Sequence, residues 1–221
     1  GRFNHEAACV DPETGLVYQT EDRDDGLLYR FVPKVPGKLA EGGTLQALVI
    51  DGGVTDSRNW NALDVARGAK LKVKWVDLDD VEAPKDDLRL RGAAAGAATF
   101  ARGEGIWMGE GELYFCCTNG GAAKLGQIFR LTPGRGKQAD TLELFFESES
   151  TDQFNYGDNL VIAPTGHLVV CEDQYSNTVD NYLRGIDKMG RAYPLARLRQ
   201  QTELAGACFS PDGKTLFVNA Y

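Results

Sequence analysis

The chain of 221 residues has the size and composition of one large globular domain, with 43% hydrophobic residues, 25% charged residues and 26 glycines. Its net charge of −8 and the absence of a lysine and arginine stripe argue against a nucleic-acid partner. No apolar run approaches the length of about 18 to 20 residues that spans a bilayer, so no transmembrane segment is predicted.

The five cysteines are odd in number and lie within apolar runs, without the C-x-x-C spacing of zinc sites. Free thiols in such surroundings behave as small hydrophobic side chains. We therefore predict buried thiols, rather than disulfides or ligands of soft metals, at Cys9, Cys116, Cys117, Cys171 and Cys208.

Short strand-like runs bounded by glycine, proline and aspartate recur along the chain and predict an all-β fold. The first run, residues 5–12, is joined by a turn at 13–15 to a second run at 16–22. Two more runs, at 26–32 and 44–50, follow this hairpin. Together the four runs predict one four-stranded antiparallel unit.

The connection between residues 51 and 91 is the least regular part of the sequence, with the acidic run Asp77–Glu82 near its middle. We predict an irregular acidic insertion between two units. It is either a solvated loop or a lid or cation-attracting rim. Only residues 93–102 and 184–200 offer a helical alternative to strands.

The order of residue types along the first hairpin recurs three times downstream and forms an internal repeat. A looser copy at 102–119 is followed by runs at 126–131 and 141–146, and further copies cover 158–173 and 203–219. Each copy has a polar or acidic entry, a small apolar run, a turn, and a strand that ends in a polar group.

Repeating four-stranded antiparallel units are typical of a β-propeller, in which each sheet is a blade and its innermost strand lines the central channel. We predict that residues 1–221 form a single domain with about three to four blades of a partial β-propeller. A β-sandwich is the alternative, but it would not explain the repeat.

The repeat puts a carboxylate near the start of each unit, at Glu6, Glu104 and Glu203, with Asp158 at the matching place. Carboxylates that converge in a channel either take up protons or bind hard cations such as Ca²⁺, Mg²⁺, Mn²⁺ or Fe³⁺. Acids at strand ends can instead cap turns and face water. The equal phase in separate units favours a metal site, and His5 is a candidate to donate a hydrogen bond to Glu6.

A second set of polar residues lies at the end of the second run in each repeat, at equivalent positions. These are Glu21-Asp22, Thr118-Asn119, Glu172-Asp173 and Asn219. Motifs of other enzyme classes are absent. The sequence has no P-loop, no G-x-S-x-G elbow and no H-E-x-x-H pattern, and two histidines make a Ser-His-Asp triad unlikely to form. A histidine-based hydrolase is therefore not predicted.

An ordered set of motifs across nearly the whole chain resembles the PhoX family of alkaline phosphatases. Each motif alone is weak, but their order is specific. The motifs are Gly1–Ala7, Thr20–Arg23, Gly26–Phe31, Trp75–Asp79, Arg102–Gly105, Thr118–Gly121, Gly157–Leu160, Cys171–Asp173 and Phe209–Gly213.

This resemblance implies a six-bladed propeller, usually exported to the periplasm or the extracellular space, that hydrolyses small-molecule phosphate monoesters. It implies a pair of iron ions and several calcium ions at the axis, where they would neutralise the phosphate and stabilise charge on the phosphoryl oxygens. The implied metal ligands are first Glu6, Glu104 and Glu172, and then Glu21 and Glu203. Arg102 is the implied catalytic residue.

The family's iron-binding cysteine belongs to a Thr-Cys-Glu-Glu type segment that precedes the region matched here, and Cys171 lies in a later repeat. We therefore expect this chain to be a fragment, with upstream blades from the same chain or another chain completing the ring and the iron pair. The alternative function is a non-catalytic propeller module for binding or assembly, because a fold alone does not give a function.

Overall fold

The computed structural model describes residues 1–174, 180–200 and 202–221, and these residues form an almost entirely β structure. The all-β prediction is confirmed. The described helical segments are the helix α1, Leu88–Ala94, and a single 3₁₀ turn, Leu39–Glu41. Among these residues, no helix is long and apolar enough to cross a membrane.

The first unit is a four-stranded antiparallel sheet in the order β1-β2-β4-β5. The short strand β3 lies between β2 and β4 in the chain but is not part of this sheet. Tight turns separate its first two strands, as the sequence predicts. The strands are β1 His5–Val10, β2 Val17–Glu21, β3 Gly26–Leu27, β4 Tyr29–Pro33 and β5 Gly43–Ile50.

The second unit has the same antiparallel order, β8-β9-β10-β11, and follows two connecting strands, β6 and β7. The strand β6 pairs with both β5 and β11, which joins the two units into one nine-stranded sheet. These strands are β6 Lys70–Asp77, β7 Thr99–Phe100, β8 Gly103–Met108, β9 Leu113–Cys117, β10 Gln127–Thr132 and β11 Asp140–Glu147.

The third unit is a separate four-stranded sheet, β12-β13-β14-β15, and a two-stranded hairpin, β16-β17, follows it. The first strands of successive units pack side by side, β1 on β8, β8 on β12 and β12 on β16. The strands are β12 Gly157–Ile162, β13 Leu168–Glu172, β14 Tyr182–Ile186, β15 Ala192–Arg197, β16 Leu204–Phe209 and β17 Leu216–Ala220.

Two hydrophobic cores lie between neighbouring four-stranded units, a third lies between the third unit and the last hairpin, and a fourth packs the first unit against α1. Between the first and second units, Phe100 meets Phe115 and Phe129 edge to face, with ring centroids 5.3 and 5.2 Å away. A second core, around Phe146 and Phe154, separates the second and third units. Because burying one such ring stabilises the fold by roughly 1.5–3 kcal/mol, these cores fix the units face to face.

One sequence prediction differs from the structure, and the two helical alternatives have different outcomes. The connection 51–91, predicted to be irregular, contains the strand β6 and the start of α1. In β6 the alternation of lysines with Leu71, Val73 and Trp75 is a strand pattern that the nearby acidic run obscured. Of the two segments with a helical alternative, residues 93–102 contain the end of α1 and the strand β7, and residues 184–200 contain the strands β14 and β15.

The cysteine prediction is confirmed at three positions. All five thiols are free, and Cys116, Cys117 and Cys171 are buried. Cys9 is half-buried, and Cys208 is exposed. The prediction was therefore wrong at Cys208, whose side of the last hairpin faces solvent in this structure.

The glycine at position 105 allows the first strands of the second and third units to approach closely. A Cβ atom there would lie 2.7 Å from the Cα of Asn159 and 2.8 Å from the backbone oxygen of Asp158. Neither backbone atom can move away as a flexible side chain can. We expect Gly105→Ala to destabilise the protein by about 3 kcal/mol, as measured by urea unfolding of the full-length protein.

Gly109→Ala is the matched control, because a Cβ there would mainly meet the terminal Cδ1 of Ile162. That side chain can rotate away, so the expected loss is under about 1 kcal/mol. Equal losses for the two variants would contradict the role of Gly105.

Candidate metal centre

An extra residue interrupts the first strand of each four-stranded unit at the same point. In the first unit His5 pairs with Glu21, but the next pair is Ala8 with Gln19, so the strand β1 bulges between them. Bulges kink a strand and re-aim its side chains. The same offset follows the pairs Gly103–Cys117 and Gly157–Glu172 in the other two units.

The bulges bring three carboxylates together, because Glu6, Glu104 and Asp158 are the second residues of β1, β8 and β12. One oxygen of each carboxylate lies within 4.8 Å of the other two. Glu104 is 5% exposed, Asp158 is half-buried, and Glu6 is exposed. We call this group the carboxylate centre.

Burial and mutual repulsion make it unfavourable for all three carboxylates of the carboxylate centre to be ionised at once. Burial, then the charges of Asp22 and Asp158, raise the pKa of Glu104 to about 9. Burial, then the charges of Glu6 and Glu203, raise the pKa of Asp158 to about 7. Burial and the neighbouring Asp22 also raise the pKa of Glu6. A cation bound between the three would relieve this repulsion and favour the ionised carboxylates.

Arg102 lies directly beside the carboxylate centre. Its Nε and Nη2 donate to the two oxygens of Asp22 at 2.6 and 3.0 Å, and Nη2 also donates to Glu104 Oε1 at 2.9 Å. These hydrogen bonds, most of all those to Asp22, raise the pKa of Arg102, so it stays charged. Its backbone is left-handed, with φ at 49°, an uncommon conformation for a residue with a side chain.

Glu172, a predicted metal ligand, lies outside the carboxylate centre in an ion pair with Arg184. Arg184 Nε donates to Glu172 Oε1 at 2.7 Å, and the backbone amides of Asn155 and Tyr182 each donate to the same carboxylate at 2.9 Å. Both charged side chains are at most 5% exposed. This arrangement compensates the buried charge of the carboxylate.

Glu21, the equivalent position in the first unit, is also buried, but its Oε1 has no hydrogen-bond partner among the described residues. Its Oε2 accepts from the Tyr29 hydroxyl at 2.8 Å and from the Leu27 amide at 3.2 Å, and burial raises its pKa. Neither Glu21 nor Glu172 belongs to the group of carboxylates that lie within 4.8 Å of one another. The next residues, Asp22 and Asp173, interact with the carboxylate centre instead.

Glu203, another predicted ligand, borders the carboxylate centre from the last hairpin. Its charge raises the pKa of Asp158, and burial together with Glu203 raises the pKa of Asp173. Its backbone position differs from the predicted one. The bulge of β16 falls between Leu204 and Gly206, so Ala205 is the equivalent of Glu6.

His5 does not bond to Glu6 as the sequence suggested. Its ring stacks on Phe3 with centroids 3.6 Å apart, and Nε2 lies 2.8 Å from the backbone oxygen of Gly1. The histidine therefore anchors the segment before β1.

The donor set of the carboxylate centre is made of oxygen atoms. Carboxylates at this spacing suit a hard cation such as Ca²⁺, which takes several oxygen ligands at about 2.3–2.6 Å. Among the described residues, no thiol belongs to this group, and burial raises the pKa of Cys171 to about 12. The three oxygen donors fit calcium.

Comparisons with known proteins identify a family and two similar structures. A family model described as alkaline phosphatase PhoX matches residues 1–221. The structure of Pseudomonas fluorescens PhoX in complex with vanadate, a transition state analogue, is similar with a TM-score of 0.73 and 23% identity. The match covers 100% of this chain and 49% of that chain, so this chain spans about half its length.

A gluconolactonase from Xanthomonas campestris is also similar, with a TM-score of 0.41 and 13% identity over 98% of this chain and 69% of that one. This likeness is too distant to inform the site. No curated protein sequence matches the chain.

Proposed function

This chain belongs to the PhoX alkaline phosphatase family, and we propose that its carboxylate centre forms part of a metal-dependent site that hydrolyses small-molecule phosphate monoesters. The observation that carries the proposal is the convergence of Glu6, Glu104 and Asp158 within 4.8 Å. These carboxylates come from equivalent bulges in three separate units. An acidic protein needs bound cations to reverse the local field before it can hold a phosphate group.

The fold of the complete site is proposed to be a β-propeller. The four-stranded units, with their first strands packed side by side around the carboxylate centre, correspond to three blades, and β16-β17 corresponds to the inner half of a fourth. Six blades are proposed for the complete protein, since this chain spans about half of the PhoX chain it matches. The remaining blades come from the same chain or from another one.

The proposed ligands of a calcium ion are Glu6, Glu104 and Asp158, with Asp173 and Glu203 at the border of the site. A cation bound there would supply positive charge to the phosphoryl oxygens. The proposed iron pair needs residues outside this chain, because the family's Thr-Cys-Glu-Glu type segment does not occur in it. The proposed location of the protein is the periplasm or the extracellular space.

Arg102 is proposed to bind a phosphoryl oxygen. Asp22 holds its guanidinium through two hydrogen bonds, so the group is oriented before substrate arrives. Its Nη1 makes no hydrogen bond to the described part of the chain and can therefore donate to the ester. A fixed positive charge at this point stabilises the charge that develops as the leaving group departs.

The test is hydrolysis of p-nitrophenyl phosphate by the full-length protein before and after chelation. We expect activity that falls at least about 100-fold when a chelator removes calcium and that returns when calcium is added back. Magnesium addition is the control for ionic strength and charge. Unchanged hydrolysis without metal, or metal-loaded protein that cleaves no phosphate ester, would reject the proposal and favour the non-catalytic module.

A further inference from the structure

Four residues occupy equivalent positions immediately before the bulges of the first strands. In each unit, the backbone oxygen of this residue accepts from the residue that follows the second strand. The N···O distances are 3.0 Å for Asp22 to Asn4, 3.0 Å for Thr118 to Arg102, 2.9 Å for Asp173 to Tyr156 and 3.2 Å for Tyr221 to Glu203.

Within this set, Tyr156 and Arg102 are the most alike. Both have left-handed backbones, with φ of 53° for Tyr156 and 49° for Arg102. A glycine follows each of them, and a centre carboxylate follows that glycine, as Gly157-Asp158 and Gly103-Glu104. A bulky residue in this conformation is strained, and such strain persists only where the surrounding structure imposes it.

The second unit shows where a side chain in this position lies. Arg102 Nη2 is 2.9 Å from Glu104 Oε1, so the residue two places before the carboxylate sits beside it. Tyr156 has the same backbone conformation and the same place in its unit, two residues before Asp158. The strands β8 and β12 are in close contact at Gly105, which makes the two pairs neighbours. The charge of Arg102 also acts on Asp158.

We propose that Tyr156 is a substrate-binding residue whose phenol hydroxyl donates a hydrogen bond to the phosphoryl group, opposite Arg102. This inference rests on the proposed phosphatase function. Tyr156 is half-buried, and its hydroxyl makes no hydrogen bond to any residue that the structure describes. A neutral donor adds no negative charge to a site that already holds several carboxylates, and a phosphoryl dianion accepts such hydrogen bonds strongly.

Tyr156→Phe tests this role because it removes only the hydroxyl. We expect KM for p-nitrophenyl phosphate and the inhibition constant of inorganic phosphate each to rise about tenfold, within the range of a hydrogen bond to a charged group. The value of kcat should stay within about twofold, since the bond is present in both the ground and transition states. Calcium content and melting temperature should not change.

Tyr193→Phe is the control, because Tyr193 lies on the outer strand β15 and its hydroxyl contacts His167 at 2.9 Å. An unchanged KM and phosphate inhibition constant in Tyr156→Phe would overturn the inference while the wild-type phosphatase activity stands. Loss of calcium from that variant would also overturn it, since the residue would then support the metal centre. Wild-type protein that neither hydrolyses the ester nor binds inorganic phosphate would instead refute the proposed function.

Discussion

Glu104→Gln should lower the hydrolysis of p-nitrophenyl phosphate at least about 100-fold and reduce the calcium content of the protein. Changes in groups that only support a metal ligand already cost about 10–100-fold, so loss of a ligand should cost more. The metal-free protein should keep its melting temperature. The pKa of Glu104 is raised to about 9, so this carboxyl is neutral at pH 7 without a cation and glutamine resembles it closely.

Glu143→Gln is the matched control in the same unit. The Glu143 side chain is mostly buried and accepts a hydrogen bond from Arg130 at 2.6 Å. It lies on β11, the fourth strand of the second unit, whereas Glu104 lies on the first strand of that unit. We expect unchanged calcium content and activity in this variant. Full activity and calcium in Glu104→Gln would contradict the assignment of Glu104 as a ligand.

Arg184→Met should destabilise the protein by about 3–5 kcal/mol, because it leaves the buried carboxylate of Glu172 without its charged partner. The Glu172 side chain is 0% exposed and that of Arg184 is 5% exposed, so water does not replace the lost interaction. Calcium content and the activity of the folded molecules should stay unchanged. Urea unfolding of the full-length protein measures the loss of stability.

Arg191→Met is the control for this prediction, since Arg191 pairs with Asp187 but is 77% exposed. Exposed ion pairs contribute about 0–1 kcal/mol, so a small loss is expected. If Arg184→Met or Glu172→Gln removed calcium while stability stayed high, Glu172 would be a metal ligand, as the sequence resemblance implied.

The repeated strand pattern allowed much of the fold to be predicted from the sequence. The alternation of apolar and polar residues and the glycine turns locate the hairpins at 5–22, 102–119, 158–173 and 203–219, which the structure contains. The partners of each strand could not be predicted in the same way. The strand β6 joins two units through long-range pairing that leaves no local signal.

At the candidate site, the sequence identified Glu6, Glu104 and Asp158 from their equal phase. The sequence favoured Glu21 and Glu172 over the aspartates that follow them. It could not distinguish them, because a motif does not show on which face of the strand a side chain lies. One step along a strand moves a side chain to the opposite face. Glu21 and Glu172 are buried and bind Tyr29 and Arg184, and Asp22 and Asp173 interact with the carboxylate centre.

The misplacement of Glu203 has a simpler cause that the sequence itself contains. Six positions separate Glu6 from Pro12 and Asp158 from Pro164, whereas eight separate Glu203 from Pro211. Counting back from the proline would have identified Ala205 as the equivalent position. Bulges remain hard to predict, because an extra residue in a strand has no distinctive composition here.

The most direct test of the carboxylate centre is anomalous diffraction from crystals of the full-length protein grown with calcium. We predict an ion bound by oxygens of Glu6, Glu104 and Asp158 at about 2.3–2.6 Å. Calcium found only elsewhere, with these three carboxylates left without an ion in calcium-saturated crystals, would contradict the central claim that the three equivalent bulges build a metal site.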